Sequence, residues 1–186
     1  MKLSRANFAA VKLGKGILVS GGNNQEQGVT NSCEYYINDT WTEYPAMKVK
    51  RQAHSMCLYK ESLYVFGGMD ESNKQLTSIE RLNPSDSQQG WQFVCDMPKP
   101  LCNMGLLSYE SQILIFGGVS INETLDEIHQ FDPSSFTFSV VGKLAKPDSF
   151  PHAEPSSIQS GATLVIGRAY VHDLTPQKAP SVMMLL

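Results

Sequence analysis

Three diglycines punctuate this chain at nearly equal intervals. Gly21-Gly22, Gly67-Gly68 and Gly117-Gly118 stand 46 and 50 residues apart, and each closes an apolar run of one shape: Ile17–Ser20, Leu63–Phe66 and Ile113–Phe116. A fourth run, Thr163–Ile166, ends at Gly167 a further 50 residues on, with Arg168 in place of the second glycine. Self-similarity at this period marks an array of one supersecondary unit, which buries its apolar faces only by stacking on its neighbours.

The second copy shows the unit most fully. A mixed run from Arg51 to Tyr59 leads through the polar turn Lys60-Glu61-Ser62 into Leu63–Phe66 and the diglycine. A loop from Met69 to Gln75 carries Asp, Ser and Asn for turn chemistry, then Leu76–Leu82 stops at Asn83-Pro84, and Gly90–Val94 alternates apolar and polar before Met97-Pro98. Runs of this length and turn density predict an antiparallel sheet of four strands, a to d. The first copy repeats the order with Phe8–Leu13, Cys33–Tyr36 and Trp41–Tyr44 around its diglycine strand, and the third with Gly105–Tyr109, Ile128–Phe131 and Phe136–Phe138. In the fourth, Tyr170–Leu174 and Ser181–Leu186 supply the last two strands. Apolar spacing is two or continuous throughout, which predicts no amphipathic helix. The repeats run approximately over 1–46, 47–97, 98–146 and 147–186.

These residues resemble the kelch repeat: an apolar strand ending in Gly-Gly, an acidic or aromatic residue about a dozen positions later, then a Trp. Gly21-Gly22 is followed by Glu34, Tyr35 and Trp41, and Gly67-Gly68 by Glu80 and Trp91; after Gly117-Gly118, Phe131 and Phe136 or Phe138 stand in. Arg5 and Arg51 each precede a diglycine by 16, matching the Arg that opens the family motif, while Leu101 and Pro151 hold that place in copies three and four. The resemblance implies an all-β fold of kelch-type β-propeller blades. Independently of it, the glycines permit positive φ or a close backbone approach at the strand end. Trp41 and Trp91 are large enough to fill a wedge between successive twisted sheets. Arg5, Arg51 and Glu80 are expected in ion pairs or hydrogen bonds from blade to blade.

Propellers typically close with about 4–8 blades, and the resemblance implies more blades than the three and a half to four found here. The chain is therefore expected to be part of a larger propeller, with a half-ring that pairs with another chain and a four-bladed ring as the alternatives. The apolar end Val182–Leu186 is expected to pack on or pair with something.

Little in the composition points to other partners. The net charge is −3, the densest basic run is Lys48–Arg51, and neither a nucleic-acid stripe nor a membrane-binding surface is indicated. No stretch approaches the ~20 apolar residues of a membrane span, and Met1–Arg5 opens no secretory signal, so an intracellular, cytoplasmic location is expected. Cys33, Cys57, Cys95 and Cys102 form no Cys-x-x-Cys pair and read as reduced, packed thiols. Asn38-Asp39-Thr40 and Asn122-Glu123-Thr124 match the glycosylation sequon by chance on that reading.

The histidines His54, His129, His152 and His172 are scattered, and the glycines lack nucleotide-loop spacing. No cofactor, metal or small-molecule substrate is expected. The reading is not an enzyme, the alternative being a galactose-oxidase-like kelch enzyme whose active residues lie outside this chain. Strand reversal places the b–c and d–a loops on one face of each blade, and rigid scaffolds carry function on such loops. The b–c loops Asn23–Asn31, Met69–Gln75 and Val119–Glu123 are rich in Asn, Gln, Ser and Glu. The expected function is a protein–protein interaction module, an adaptor (a ubiquitin-ligase substrate adaptor among them) or a scaffold component. Candidate partner-binding residues are Arg5, Asn7, Asn24, Arg51, Gln52, Asp70, Asn73, Asn103, Asn122 and His152. The expected partners are other protein chains or further blades of the same polypeptide.

Overall fold

A computed structural model describes residues 1–145 and the strand segments 152–153 and 166–167. These residues form two compact units, Met1–Cys102 and Asn103–Leu186.

The first unit holds two four-stranded antiparallel sheets. The first sheet is built from β1 (Ala9–Leu13) and β2 (Gly16–Ser20), then, beyond a two-strand ribbon of β3 (Asn23–Asn24) and β4 (Gly28–Val29), from β5 (Cys33–Ile37) and β6 (Thr40–Tyr44). Its order is β1-β2-β5-β6. The second sheet has β7 (Ser55–Tyr59), β8 (Ser62–Phe66), β9 (Ser78–Leu82) and β10 (Gln92–Asp96) in the same up-and-down order. A six-residue 3-10 segment, Pro84–Gln89, sits in its c–d connection and is opened by the Asn83 side chain, which accepts from Ser85 N–H. This insertion accounts for the longer second interval between diglycines, since up to Leu82 the two copies match at an offset of 46.

Register shows which residues correspond. Val19 faces Glu34 across the β2–β5 pair, and Val65 faces Glu80 across β8–β9. Ile17 is thus the counterpart of Leu63, and Trp41 that of Trp91. The two sheets share one core: Ala9, Leu18 and Cys33 from the first sheet and Met47 from the segment joining the sheets pack with Met56, Leu63, Val65, Leu82 and Trp91 from the second. Trp91 is fully buried there and donates its indole N–H to the carbonyl of Pro45.

Trp41 does not repeat this. It is only half-buried and packs against Tyr36 in a tilted pair, with ring centroids 4.9 Å apart. The expectation that both tryptophans fill a wedge holds for Trp91. On the side of the first sheet that Trp41 faces, the first unit provides no second sheet.

The diglycine does what its φ angles require. Gly21 and Gly22 sit at φ +58° and +89°, and a Cβ on Gly21 would stand 2.4 Å from the carbonyl oxygen of Arg51. That closeness lets the N–H of Gly22 reach the same carbonyl at 2.9 Å, so the strand end of one sheet is tied to the chain entering the next.

The second unit carries a third sheet, β11 (Gly105–Tyr109), β12 (Gln112–Phe116), β15 (Glu127–Asp132) and β16 (Thr137–Lys143), with the ribbon β13 (Val119–Ser120) and β14 (Glu123–Thr124) after β12. Its core is Leu107, Ile113, Ile115, Phe116, Ile128 and Phe131. Phe136 adopts φ +57° at the turn instead of opening the last strand. From the fourth copy, β17 (His152–Ala153) pairs with β18 (Ile166–Gly167). The expected strands Tyr170–Leu174 and Ser181–Leu186, and the packing of Val182–Leu186, lie outside the described residues.

Candidate functional site

The b–c connections are organised. In the first sheet the loop after Gly22 folds back as the β3–β4 ribbon, and the Asn24 side chain accepts from the N–H groups of Glu26 (3.0 Å) and Gln27 (2.6 Å). In the second, Asp70 accepts from Ser72 (2.8 Å) and Lys74 (2.9 Å) in the same way. Each loop is also bridged to the d–a segment beside it: Ala6 pairs with Asn23, and Gln52 with Met69. The two loop types therefore meet at one end of each sheet in this unit, as strand reversal requires. Asn24 and Asp70 shape the loops from within, and exposed Gln25, Glu26, Gln27, Glu71, Ser72 and Asn73 remain at the surface.

Arg5 and Arg51 stand elsewhere. Their guanidinium groups are wholly buried. Arg5 donates to the carbonyls of Gly21 (2.7 Å) and Ser32 (3.0 Å) and pairs with Glu34 at 2.8 Å. Arg51 repeats this on Gly67 (2.6 Å), Ser78 (3.2 Å) and Glu80 (2.6 Å). Both pairs lie within one copy, so the blade-to-blade expectation is corrected: the carboxylates reach instead to the segment that leads into each sheet. Glu80 accepts the main-chain N–H groups of Lys48 (2.7 Å) and Val49 (3.1 Å), which belong to the segment joining the sheets. Glu34 accepts that of Lys2 at 2.6 Å. Burial pushes the Glu34 carboxyl up, but the Lys2 N–H and the Arg5 guanidinium outweigh it and hold the group below its ordinary value.

Of the other candidates, Asn7 is exposed and Gln52 is buried, reaching Asn73 at 3.4 Å. Asn73 is exposed at φ +59°. In the second unit, Asn103 is half-buried at φ +55° and Asn122 exposed at φ +93°, beside the exposed Ile121. His152 lies in β17, and its side chain is outside the described residues.

Two features were not foreseen. His54 is buried against Ser20, with Nε2 and Oγ 2.9 Å apart and Nδ1 without a protein partner. Burial, helped by the Arg51 and Arg5 charges, pulls its pKa down to about 3, so it is neutral. A lone His in a mixed run gives no such signal. The second is an exposed ion pair from Lys50 to Glu71 at 3.1 Å, crossing from the d–a segment to the b–c loop.

Among the described residues, no group of three or more His, Cys, Asp or Glu could hold a metal ion, and no helix is long and apolar enough to cross a membrane. Burial raises the thiol pKa of Cys33 and Cys57 to about 12, leaving them inert.

The fold agrees with what similarity to known proteins shows. The chain is 24% identical over 154 residues to Kelch-like protein 25 of Xenopus tropicalis, covering 77% of this chain and 26% of that protein. It is 28% identical over 148 residues to beta-scruin of Limulus polyphemus, covering 72% and 16% respectively. The structure of YjhT matches with a TM-score of 0.68 at 13% identity, over 82% of this chain and 57% of that one. The chain thus spans about a quarter of Kelch-like protein 25 and less of beta-scruin. Residues 7–172 match the KLHDC2/KLHL20/DRC7 Kelch-repeats domain, and the chain belongs to that kelch-repeat family, its sheets being β-propeller blades.

Proposed function

We propose that this chain is a non-enzymatic protein-interaction module that holds an extended segment of a partner at the loop end of its blades, as an adaptor or scaffold component. The observation that carries this reading is the loop architecture of the first unit. Asn24 and Asp70 fix the loop backbones from inside, and the antiparallel bridges Ala6–Asn23 and Gln52–Met69 tie each loop to its neighbour. Exposed amides and hydroxyls are then displayed on a pre-ordered frame, which lowers the ordering cost of binding. The similarity to Kelch-like protein 25 and beta-scruin supports the same class. The test is co-purification of the full-length protein's partner with loop-end variants (Asn73→Lys, Asn122→Lys) and opposite-end variants (Lys15→Glu, Lys60→Glu). Loss with the first pair alone is expected; loss with the second pair alone would overturn it.

We further propose that another blade covers the outward face of the first sheet. Leu63 and Trp91, which face the first sheet, are 0% exposed, whereas their counterparts differ: Ile17 is 46% exposed and Trp41 half-buried. The same positions are apolar in both sheets, so the uncovered face is built for the neighbour that the second sheet already has.

A further inference from the structure

A shallow depression of about 330 Å³ opens at the loop end of the first sheet, between Ser4–Ala6 and Asn23–Glu26. The equivalent place in the second sheet is crossed by the Lys50–Glu71 ion pair. The equivalence is close: Ser4 and Gln25 stand 46 residues before Lys50 and Glu71, on segments carrying the same antiparallel bridge and the same side-chain-capped turn. One sheet therefore fills the place with its own ammonium, and the other leaves a hydroxyl and an amide.

The lining is suited to a cation. Glu26 places a carboxylate at the rim, and Ser4, Asn23 and Gln25 bring neutral oxygen acceptors. The Arg5 charge beneath is neutralised by Glu34 at 2.8 Å. Asn24 is engaged with its own loop.

We propose that this depression receives a lysine side chain of the partner segment, in the place Lys50 occupies one sheet along. The proposal rests on the loop-end reading above and names the side chain that reading leaves open. The lysine stem lies along Ala6 and Asn23, and its ammonium meets the Glu26 carboxylate with the Gln25 and Ser4 oxygens as further acceptors.

The test titrates the full protein, by amide NMR at low salt, with acetyl-Gly-Lys-Gly-amide and with its norleucine analogue. Saturable shifts at Ser4, Ala6, Gln25 and Glu26 are expected for the lysine peptide, with affinity about fivefold above the norleucine peptide, the range of one exposed ion pair. Added salt should erode that difference, and Glu26→Gln should lower lysine affinity about threefold. The double variant Ser4→Lys/Gln25→Glu installs the pair the second sheet already carries, and it should abolish the shifts with the fold intact. Equal affinity for both peptides, or undiminished binding by the double variant, would overturn the proposal. The two readings fail separately. A natural partner retained by the double variant and lost with Asn73→Lys and Asn122→Lys sinks only the lysine subsite. A partner indifferent to every loop variant sinks the loop-end reading, while the tripeptide titration still decides the subsite.

Discussion

The indole N–H of Trp91 donates to the carbonyl of Pro45 at 2.9 Å, across 46 positions of sequence and from one sheet to the next. With its ring fully buried among Leu18, Cys33, Met47 and Leu82, the residue joins two copies by both packing and polarity. Trp91→Ala should cost about 3–5 kcal/mol. Trp91→Phe keeps most of the apolar bulk but orphans the carbonyl, for about 1–3 kcal/mol. Denaturant unfolding measures both, and a loss below about 1 kcal/mol for the alanine variant would contradict the packing described.

Breaking the Arg51–Glu80 pair from one side should be worse than removing both charges. Arg51→Leu leaves a buried carboxylate whose remaining partners are main-chain N–H groups, and about 3–5 kcal/mol is expected. Adding Glu80→Gln should recover part of that loss. Equal stabilities of the single and double variants by chemical denaturation would show that the charge is not what makes the single change costly.

His54 makes stability depend on pH in a stated direction. Its folded pKa, about 3, lies below its ordinary 6.5, so the unfolded chain binds a proton that the folded protein refuses. The stabilisation is complete above pH 6.5 and erodes as pH falls, by up to about 1.4 kcal/mol per pH unit. Glu34, also held low, adds its own loss only as pH drops through the ordinary carboxylate range near 4.5. Between pH 6.5 and 5 the slope should belong chiefly to His54. His54→Met, the residue found at the matching position Met104, should flatten it, as urea unfolding across that window will show.

Ala53 adopts φ +52°, where its counterparts are Asn7 at +53° and Asn103 at +55°. Asparagine tolerates the left-handed region better than alanine. Ala53→Asn should stabilise the protein by about 1 kcal/mol, seen as a rise in Tm; an unchanged or lower Tm counts against strain at this site.

The covering of the first sheet can be checked directly. Ile17→Glu should barely change the unfolding free energy of residues 1–186, because the side chain is already half in water. In the intact assembly it should weaken association with whatever covers that face, measured by size and by the unfolding free energy of the intact protein. An assembly size and an unfolding free energy of the intact protein both unchanged by Ile17→Glu would remove the need for a cover.

The sheets were legible because their signals are local. Each strand-ending diglycine marks a place where the backbone turns with positive φ, and the 46-residue offset carries every element of the first copy onto the second up to Leu82. The roles of individual side chains were less legible, because they depend on register. Arg5 and Arg51 have the composition of surface contacts, yet the carbonyls of Gly21 and Gly67, 16 residues on, take up their donors inside the sheet. Trp41 and Trp91 are one residue type at one position and differ in burial, since Trp91 faces the first sheet and Trp41 faces out of the first unit. The Lys50–Glu71 crossing joins residues 21 apart, a spacing that no strand or turn pattern marks.

The carboxylate of Glu80 grips the main chain at Lys48 and Val49, so the strap between two sheets is anchored by the sheet that follows it. The folding module therefore begins at the strap near Met47, some twenty residues ahead of the diglycine that marks its copy. A piece cut between sheets at residue 50 would strand a charged clasp on one fragment and loose amide hydrogens on the other. A piece beginning at Met47 would keep clasp and strap together. Dissection, grafting or permutation of this array should follow the clasps and disregard the glycine boundaries that first reveal it.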